Sequence, residues 1–416
     1  MRTRSVAALF GASILLLAGC SPSSETPTAS TTSSPLTSPT APAGPIRGPE
    51  PPVVTPLIGS VLAPPFPVPA TDGKVHLAYE VQLTNVLAQE VTLTSLVVLD
   101  RDVSLLKLAG EQLGDRTRVI GNNAPTTKIG PAQTAIVWMD VALDEGVKAP
   151  ERLVHAIGLS LPEPNPPLFP ATMTIDIAPT EVETRKPIVI SPPLSGPAWL
   201  DGDGCCDLSA HRRALNPIDG QLWAAERYAI DYVQLRPDGR LFSGDRAKLE
   251  SYSYFGADIR AVSDGPVVAA VDGLPEQIPG ASPTGLRLDQ YAGNHIVQDL
   301  GDGHYALYAH IKTGAVKVKV GDRLTAGQVI GSVGNTGNTD APHLHFHVMS
   351  TPDPLRSNGL PFVFNEFRLD SRVAEPPDNL NVLFDGEPAP MQPGFTARDE
   401  KDVMPMELDV MTYADR

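Results

Sequence analysis

Residues 342–348 have the sequence PHLHFHV, in which histidine alternates with apolar residues. Successive side chains of a β-strand point to opposite faces, so residues two positions apart share a face. The alternation therefore predicts a strand that turns His343, His345 and His347 to one side and packs its apolar side chains into a core. A cluster of imidazoles is suited to metal binding or to proton transfer.

The sequence before this strand is also rich in β-structure signals. Between residues 200 and 352, turn dipeptides such as Asp-Gly separate short runs of β-branched residues, and no long amphipathic helix is evident. Short strands bounded by turn residues are typical of antiparallel β-structure. We therefore predict an antiparallel β domain over residues 200–352.

An earlier segment, residues 58–180, has the pattern of a second β domain. Apolar and polar residues alternate over 75–84, and residues 91–99 form another β-rich run. Several such strands with turns between them predict an antiparallel, immunoglobulin-like β-sandwich. Its histidines, His76 and His155, are isolated in the sequence, which favours a spacer or binding module. The whole chain is thus predicted to be all-β.

The N-terminus has the pattern of an export signal. Arg2 and Arg4 precede an apolar run over residues 6–18, which is shorter than the about 20 residues of a membrane-spanning helix. The run ends in Leu-Ala-Gly-Cys20, which resembles the lipobox of bacterial lipoproteins. The resemblance implies a signal peptide over residues 1–19 and lipidation of Cys20, so we expect an exported protein anchored by lipid to the outer face of the bacterial cell membrane.

Composition predicts the remaining segments. Residues 20–57 are rich in Ser, Thr and Pro and bury too little apolar surface to fold, so they are predicted to be a flexible tether. A Pro-rich linker over 181–199 is predicted to join the two β domains. Residues 353–416 are predicted to be a C-terminal extension that packs on the second domain or is partly disordered.

Charge and cysteine content narrow the function further. The chain has 32 Lys and Arg against 48 Asp and Glu, a net charge of −16, and nucleic acid requires a basic surface, so nucleic-acid binding is excluded. With Cys20 assigned to a lipid, only the adjacent pair Cys205 and Cys206 remains. Adjacent cysteines rarely form a disulfide, because the small ring strains the peptide between them. We therefore expect no disulfide.

Seven of the nine histidines lie in the second β domain. They are His211, His295, His304, His310, His343, His345 and His347. One carboxylate, Asp231, lies in a β-like run over residues 228–233 among apolar neighbours. A half-buried carboxylate needs a partner, which a metal ion or an arginine would supply.

The order of motifs in this domain resembles the lysostaphin/LytM-type zinc endopeptidases. The motifs are YAH at 308–310, VGDR at 320–323, AGQVIG at 326–331, GNTGNT at 334–339 and PHLHF at 342–346. Earlier stretches at 254–256, 261–269 and 293–297 are similar as well, and the resemblance covers roughly residues 200–350. It implies an antiparallel β core, one Zn²⁺ ion, and the peptide cross-links of peptidoglycan as substrate.

The resemblance also implies roles for individual residues. The family has a His-x-x-x-Asp motif that supplies two zinc ligands; Asp231 matches its Asp, but Arg227 stands where the family has His. His345 matches the third ligand. His310 and His343 match two active-site histidines that do not bind zinc and act on protons or on the oxyanion.

Three residues are candidates to replace the missing ligand. His211 precedes Asp231 by 20 residues and is able to approach from an adjacent loop. His347 shares a strand face with His345, and the Cys206 thiolate is a good zinc ligand. We favour a zinc site of His211, Asp231 and His345, with His347, His295 and Arg227 as neighbours that support it.

A second interpretation stays open from the sequence. If Arg227 and Asp231 lie on one strand face, they form a salt bridge and no metal binds. The domain would then be a catalytically degenerate module that binds peptidoglycan or regulates a cell-wall hydrolase. The retention of His310, His343 and His345 favours an active zinc endopeptidase over this alternative.

Overall fold

The computed structural model describes residues 52–376 and 380–415. The predicted signal peptide, Cys20 and most of the predicted tether lie outside the described residues. Among the described residues, no helix combines the length and the apolar character needed to cross a membrane. The described chain is almost entirely β-structure, which confirms the predicted fold class.

The first β domain consists of two antiparallel sheets. One sheet has the strand order β1-β3-β8-β6, with β2 paired to β3, and the other has the order β10-β9-β4-β5, with β7 paired to β4. The elements are β1 (Leu57–Val61), β2 (Pro67–Pro69), β3 (Lys74–Asn85), β4 (Val91–Asp100), β5 (Val103–Ala109), α1 (Gly110–Asp115), β6 (Thr117–Val119), β7 (Lys128–Ile129), β8 (Thr134–Asp144), β9 (Arg152–Ser160) and β10 (Thr172–Glu181).

The two sheets share one hydrophobic core, as in a β-sandwich. Leu77, Tyr79, Val81 and Leu83 of β3 are fully buried in it, as their alternation predicts. The intervening Ala78 and Glu80 are also buried, because the outer face of β3 packs against the second domain. The immunoglobulin-like connectivity of the sandwich stays a prediction.

The second domain is built on an 11-stranded sheet. Its strand order is β20-β17-β18-β19-β22-β15-β12-β27-β25-β26, with β23 paired to β22. The elements from the linker onward are β11 (Ile188–Ile190), β12 (Gly196–Gly202), α2 (Ala210–Arg213), β13 (Asn216–Ile218), β14 (Gln221–Trp223), β15 (Ile230–Gln234), β16 (Asp258–Arg260), β17 (Gly265–Val271), β18 (Asn294–Gly301), β19 (His304–Ile311), β20 (Arg323–Leu324), β21 (Val329–Ser332), β22 (Leu344–Met349), β23 (Gly359–Leu360), β24 (Phe362–Phe364), β25 (Phe367–Arg372), α3 (Asn381–Phe384), β26 (Arg398–Glu400) and β27 (Asp409–Tyr413). Short 3₁₀ turns at Leu249–Ser251 and Leu288–Gln290 lie between strands.

The segments predicted to be a linker and an extension are part of this sheet. The linker range 181–199 contains β11 and the first four of the seven residues of β12, and β12 pairs with β15 on one edge and with β27 on the other. The sheet thus continues from the central strands into residues 353–376 and 380–415. Strand pairing therefore makes the predicted linker and the predicted C-terminal extension part of the fold. Amino-acid composition carries no information about such pairing.

The expectation that the adjacent cysteines stay unbridged is wrong. Cys205 and Cys206 form a disulfide in the loop between β12 and α2. Both side chains are buried, and backbone contacts hold the loop: the Glu407 amide donates to the Cys205 carbonyl, and the Arg212 guanidinium donates to the Cys206 carbonyl. The folded loop therefore holds together two thiols that sequence reasoning treated as separate.

Candidate metal centre

The strand of alternating histidines lies in the middle of the central sheet. β22 pairs with β15 on one edge and with β19 on the other, which places Asp231 and Ala309 opposite His345. Leu344, Phe346 and Val348 are fully buried in the core on the other face, as predicted. The Nδ1 atom of His345 lies 2.8 Å from Oδ1 of Asp231.

His211 approaches the same carboxylate from α2. Its Nε2 lies 3.4 Å from Oδ1 of Asp231, while its Nδ1 lies 3.0 Å from the Asp203 carbonyl and 3.2 Å from the Ala229 carbonyl. Because a carbonyl only accepts, Nδ1 carries a hydrogen and donates it, and Nε2 is the ring nitrogen that faces the site. One ligand atom from each of His211, Asp231 and His345 falls within 4.8 Å of the others.

His343 and His310 complete the cluster. The Nε2 atom of His343 lies 3.3 Å from Oδ1 of Asp231, and its Nδ1 lies 2.8 Å from the Ala341 carbonyl. The His310 ring stacks edge-on against His343 with centroids 4.6 Å apart, and its Nδ1 donates to the Thr336 carbonyl at 2.7 Å. Both rings therefore have Nδ1 engaged with a backbone carbonyl, and Nε2 of His343 faces the Asp231 carboxylate.

A β-bulge directs His310 into the cluster. In the β18–β19 pairing, the single residue His295 stands opposite both Ala309 and His310. His310 has a φ of 60°, a left-handed conformation that is uncommon for a residue with a side chain. Bulges and left-handed residues of this kind re-aim a side chain and concentrate at functional sites.

The electrostatics of the cluster centre on one anion. Burial alone would raise the pKa of Asp231, but the imidazoles of His343 and His211 outweigh burial and hold the pKa well below its ordinary value. Burial lowers the pKa of His310 well below its ordinary value, and the neighbouring imidazoles of His343 and His345 lower it further. The cluster is therefore an ionised carboxylate with a neutral imidazole at His310.

His347 and His295 occupy the edge of this arrangement. The Nδ1 atom of His347 lies 2.9 Å from Nε2 of His345, so His347 contacts the site through His345. Its own Nε2 is buried and has no hydrogen-bond partner among the described residues. His295 Nδ1 donates to the Gly293 carbonyl, just before β18, the strand that lies opposite the bulge of β19.

Arg227 does not pair with Asp231, which corrects the premise of the metal-free interpretation. β15 begins only at Ile230, so Arg227 lies in the preceding turn and not on the strand face of Asp231. Its guanidinium forms a buried ion pair with Glu80 of the sandwich, with Nε 3.1 Å from both carboxylate oxygens. The i, i+4 spacing predicts a shared face only if the strand extends over both residues.

The structure also removes Cys206 from the candidates for the missing metal ligand. Its sulfur is bonded to Cys205, so it offers no thiolate to a metal ion. The sulfur lies within 4.8 Å of ligand atoms of His76 and Asp140, but both His76 nitrogens are engaged by carboxylates: Nδ1 by Asp140 and Nε2 by Asp72.

The two sandwich histidines are therefore not isolated in space. His76 contacts two carboxylates, and the Nε2 of His155 lies 2.9 Å from the Tyr79 hydroxyl. Asp140 and Tyr79 lie far in sequence from the histidines that they contact, which is why the sequence did not show these pairs, whereas Asp72 is only four positions before His76. Sequence reasoning also missed Glu80; a single Glu on the polar face of an alternating strand gave no signal of burial.

The donor set of the cluster fits zinc. Two imidazole nitrogens and one carboxylate oxygen are ligands that Zn²⁺ takes in hydrolytic sites, which keep a further position open. His211 and His345 each reach Asp231 within 3.4 Å, so the three donors converge without rearrangement of a strand.

Comparison with known proteins gives a family match that includes part of the cluster. Residues 252–357 match the model of peptidase family M23. The matched range contains His310, His343 and His345, whereas His211 and Asp231 lie before it.

Similar proteins include several cell-wall peptidases. The chain is 37% identical over 108 residues to the glycyl-glycine endopeptidase ALE-1 of Staphylococcus capitis, which covers 26% of this chain and 25% of that protein. It is 34% identical over 118 residues to lysostaphin of Staphylococcus simulans, and the matched residues are 28% of this chain and 20% of that protein. It is 36% identical over 67 residues to the peptidoglycan DD-endopeptidase ShyA of Vibrio cholerae, and the matched residues are 16% of this chain and 15% of that protein.

The match extends over a limited part of these relatives. The chain spans about a quarter or less of the length of the curated relatives it matches. Among solved structures, the catalytic domain of lysostaphin from Staphylococcus simulans is similar at 25% identity and a TM-score of 0.22, covering 39% of this chain and 88% of that one.

Proposed function

We propose that this protein is a zinc-dependent endopeptidase that hydrolyses peptide cross-links of peptidoglycan at the cell envelope. The observation that carries the proposal is the convergence of three imidazoles on the Asp231 carboxylate from separate parts of the chain: His211, His343 and His345. The match of residues 252–357 to a peptidase family supports the reaction class.

His211, Asp231 and His345 would hold one Zn²⁺ ion. When bound, zinc supplies a Lewis acid that lowers the pKa of water and polarises the scissile carbonyl. The Asp203 and Ala229 carbonyls hold a hydrogen on Nδ1 of His211 and so direct Nε2 toward Asp231.

His310 and His343 would handle protons during hydrolysis. Each is oriented by a hydrogen bond from Nδ1 to a backbone carbonyl, of Thr336 and Ala341 respectively. This fixes the tautomer and presents Nε2 to the cluster, as a general base or acid requires. Burial and the neighbouring imidazoles lower the pKa of His310, which keeps its ring neutral at neutral pH and leaves the Nε2 lone pair unprotonated.

Peptidoglycan peptides are the substrate class that the relatives' names support. A net charge of −16 opposes tight capture of anionic wall polymers, so substrate recognition would be local to the residues around the cluster. We propose export and a lipid anchor at Cys20, and Cys20→Ala is expected to move the protein from the membrane to the soluble extracellular fraction, as followed by fractionation and immunoblotting. Retention of the cleaved variant in the membrane would overturn this anchor.

Metal content and hydrolysis together test the function. The purified full chain is expected to contain about one zinc per molecule by elemental analysis and to release peptide fragments from peptidoglycan. His343→Ala should retain zinc and lose hydrolysis, because its proposed role is proton transfer.

His304→Ala is the matched control. It removes a buried histidine at the opposite end of β19 from His310 and should retain both properties. A folded wild-type protein that takes up no added zinc would instead support the degenerate binding or regulatory module.

A further inference from the structure

The sandwich domain contributes one buried carboxylate to the second domain. Glu80 lies on the outer face of β3, is fully buried, and contacts two arginines of the second domain. Arg227 approaches it with Nε 3.1 Å from each carboxylate oxygen, and Nη2 of Arg212 lies 3.5 Å from Oε1.

Both arginines are adjacent to the metal centre in sequence. Arg212 directly follows His211 in α2, and Arg227 precedes Asp231 by four residues in the turn that leads into β15. Arg227 also donates from Nη1 to the Gly359 carbonyl at 3.4 Å. One carboxylate therefore holds the segments that carry two of the three proposed ligands.

α2 depends on these contacts for its position. It is a single turn of four residues, and an isolated turn of this length is not stable. Arg212 attaches it to the sandwich: its Nη2 donates to the Met139 carbonyl at 3.0 Å and to the Tyr79 carbonyl at 3.3 Å, and its Nη1 donates to the Cys206 carbonyl. His211 projects from the same turn to Asp231, so any shift of Arg212 moves the ligand.

The negative charge of Glu80 is also required, because it balances the positive charges of two buried arginines. Arg212 and Arg227 are both buried, and a buried guanidinium without a carboxylate is strongly unfavourable. Burial alone would raise the pKa of Glu80, but the two arginines outweigh burial and lower it, so the carboxylate is ionised at neutral pH.

We propose that Glu80 is a positioning residue for the metal ligand His211, so that the N-terminal sandwich completes the zinc site of the peptidase domain. The inference rests on the proposed function, because it concerns the affinity of that zinc site. Glu80 acts through Arg212 and Arg227 and does not itself contact the site.

Zinc affinity of the full chain is the measurement that tests this. The zinc dissociation constant is determined by competition with a chelator, at a temperature where each variant is folded by circular dichroism. Glu80→Gln is expected to weaken zinc binding by about 10–100-fold, the range for groups that orient a metal ligand. The same substitution in a His211→Ala background should add less than about twofold, because the ligand it positions is already absent.

Arg398→Gln is the matched control. Arg398 also donates from the second domain to the sandwich, at the Thr71 carbonyl, but contacts neither α2 nor the turn before β15 in the described residues. It should leave zinc affinity unchanged even if it lowers the unfolding temperature.

Each other outcome has a distinct meaning. If Glu80→Gln lowers the unfolding temperature but binds zinc like the wild type, Glu80 is only structural and the inference is overturned. If Glu80→Gln does not fold, Arg212→Lys, which keeps the charge but loses the guanidinium contacts, is measured in its place with the same expectation and the same criterion. If the wild-type protein binds no zinc, the proposed function itself fails, and the inference with it.

Discussion

Asp231 is the carboxylate on which the candidate site converges. His211 reaches it from α2, His345 from the neighbouring strand β22, and His343 from the residue just before that strand. These contacts separate the three candidates for the missing ligand: His211 lies beside Asp231, His347 reaches only His345, and Cys206 is in a disulfide.

The first prediction distinguishes His211 from His347. His211→Ala and His345→Ala should each reduce zinc affinity by more than about 100-fold, since each removes one of the three proposed ligands, whereas His347→Ala should cost about 10-fold or less. Chelator competition on the three purified variants provides the comparison. Normal zinc binding by His211→Ala together with loss in His347→Ala would assign the third ligand to His347.

The second prediction concerns Arg227, at the position where the family resemblance implies a ligand. Arg227→His restores the His-x-x-x-Asp spacing but leaves the buried Glu80 without its closest partner. We expect a loss of about 3–5 kcal/mol in the free energy of unfolding, as for other broken buried ion pairs, and no gain in zinc content. Denaturant unfolding and elemental analysis measure both.

The appropriate comparison for Arg227→His is Arg356→Gln. Arg356 forms an exposed ion pair with Asp219, and exposed pairs contribute at most about 1 kcal/mol. A stable Arg227→His variant with more zinc than the wild type would show that the turn before β15 is free to supply a ligand.

At the level of elements, the bulge in β19 and the loop after β21 position His310 together. The loop over 334–339 supplies the Thr336 carbonyl that accepts the His310 hydrogen, and the Thr336 hydroxyl accepts from the Asn294 amide at 2.8 Å. Gly293 lies against this loop with a φ of +62°, and a Cβ added there would lie 2.1 Å from the Thr336 carbonyl oxygen. Glycine is required at this close approach of two backbones.

The third prediction follows from this contact. Gly293→Ala should push the Thr336 carbonyl away from His310 and reduce the rate of peptidoglycan hydrolysis by about 100-fold, the effect of misplacing a catalytic group by about 1 Å. Zinc content should be unchanged, because the atoms nearest to the added Cβ belong to Thr336 and not to the proposed ligands His211, Asp231 and His345. A turbidity assay on cell walls and elemental analysis measure the two quantities.

Gly303→Ala isolates the steric effect. Gly303 has a similar positive φ of +75°, in the turn between β18 and β19, and no atom lies within 4 Å of an added Cβ. It should keep nearly full activity. Equal losses in both glycine variants would attribute the effect to backbone strain in general and not to the Thr336 contact.

At the level of the whole described molecule, Val54 onward forms one compact unit, in which buried ion pairs and hydrogen bonds join the sandwich to the second domain. Glu80 contacts Arg227 and Arg212, and Thr71 donates to Asp409 of β27. A second charged group in the sandwich is His76, which is held between Asp140 and Asp72.

The fourth prediction is a pH dependence of stability due to His76. Burial alone would lower the pKa of His76, but its hydrogen bonds to Asp140 and Asp72 outweigh burial and raise the pKa to about 9. The folded state therefore binds this proton more tightly than the unfolded chain, where the pKa is about 6.5. The contribution is fully present below about pH 6.5 and is lost as pH rises through about 9, at most about 3 kcal/mol.

His76→Gln tests the origin of this dependence. The wild-type free energy of unfolding should fall between pH 6.5 and 9.5 by more than that of the variant, as measured by denaturant titration at each pH. Parallel pH profiles for the two proteins would show that another group is responsible.

The sequence by itself determined the β character of the chain and the histidines of the site. Strict alternation in residues 342–348 requires one apolar face and one imidazole face, because the period of a strand is two. The spaced motifs after residue 250 identified the family resemblance, and the 252–357 match confirmed it. Such local signals survive in sequence because they depend on neighbours only a few residues apart.

The tertiary structure alone decided how distant residues meet. Arg227 appeared to face Asp231, but the strand begins after it and its partner is Glu80, 147 positions earlier in the chain. His76 appeared isolated, but Asp140 lies 64 positions away. The extension after residue 353 appeared peripheral, but β27 pairs with β12 and continues the sheet. Long-range pairing depends on strand register and domain packing, to which no short pattern of residues corresponds.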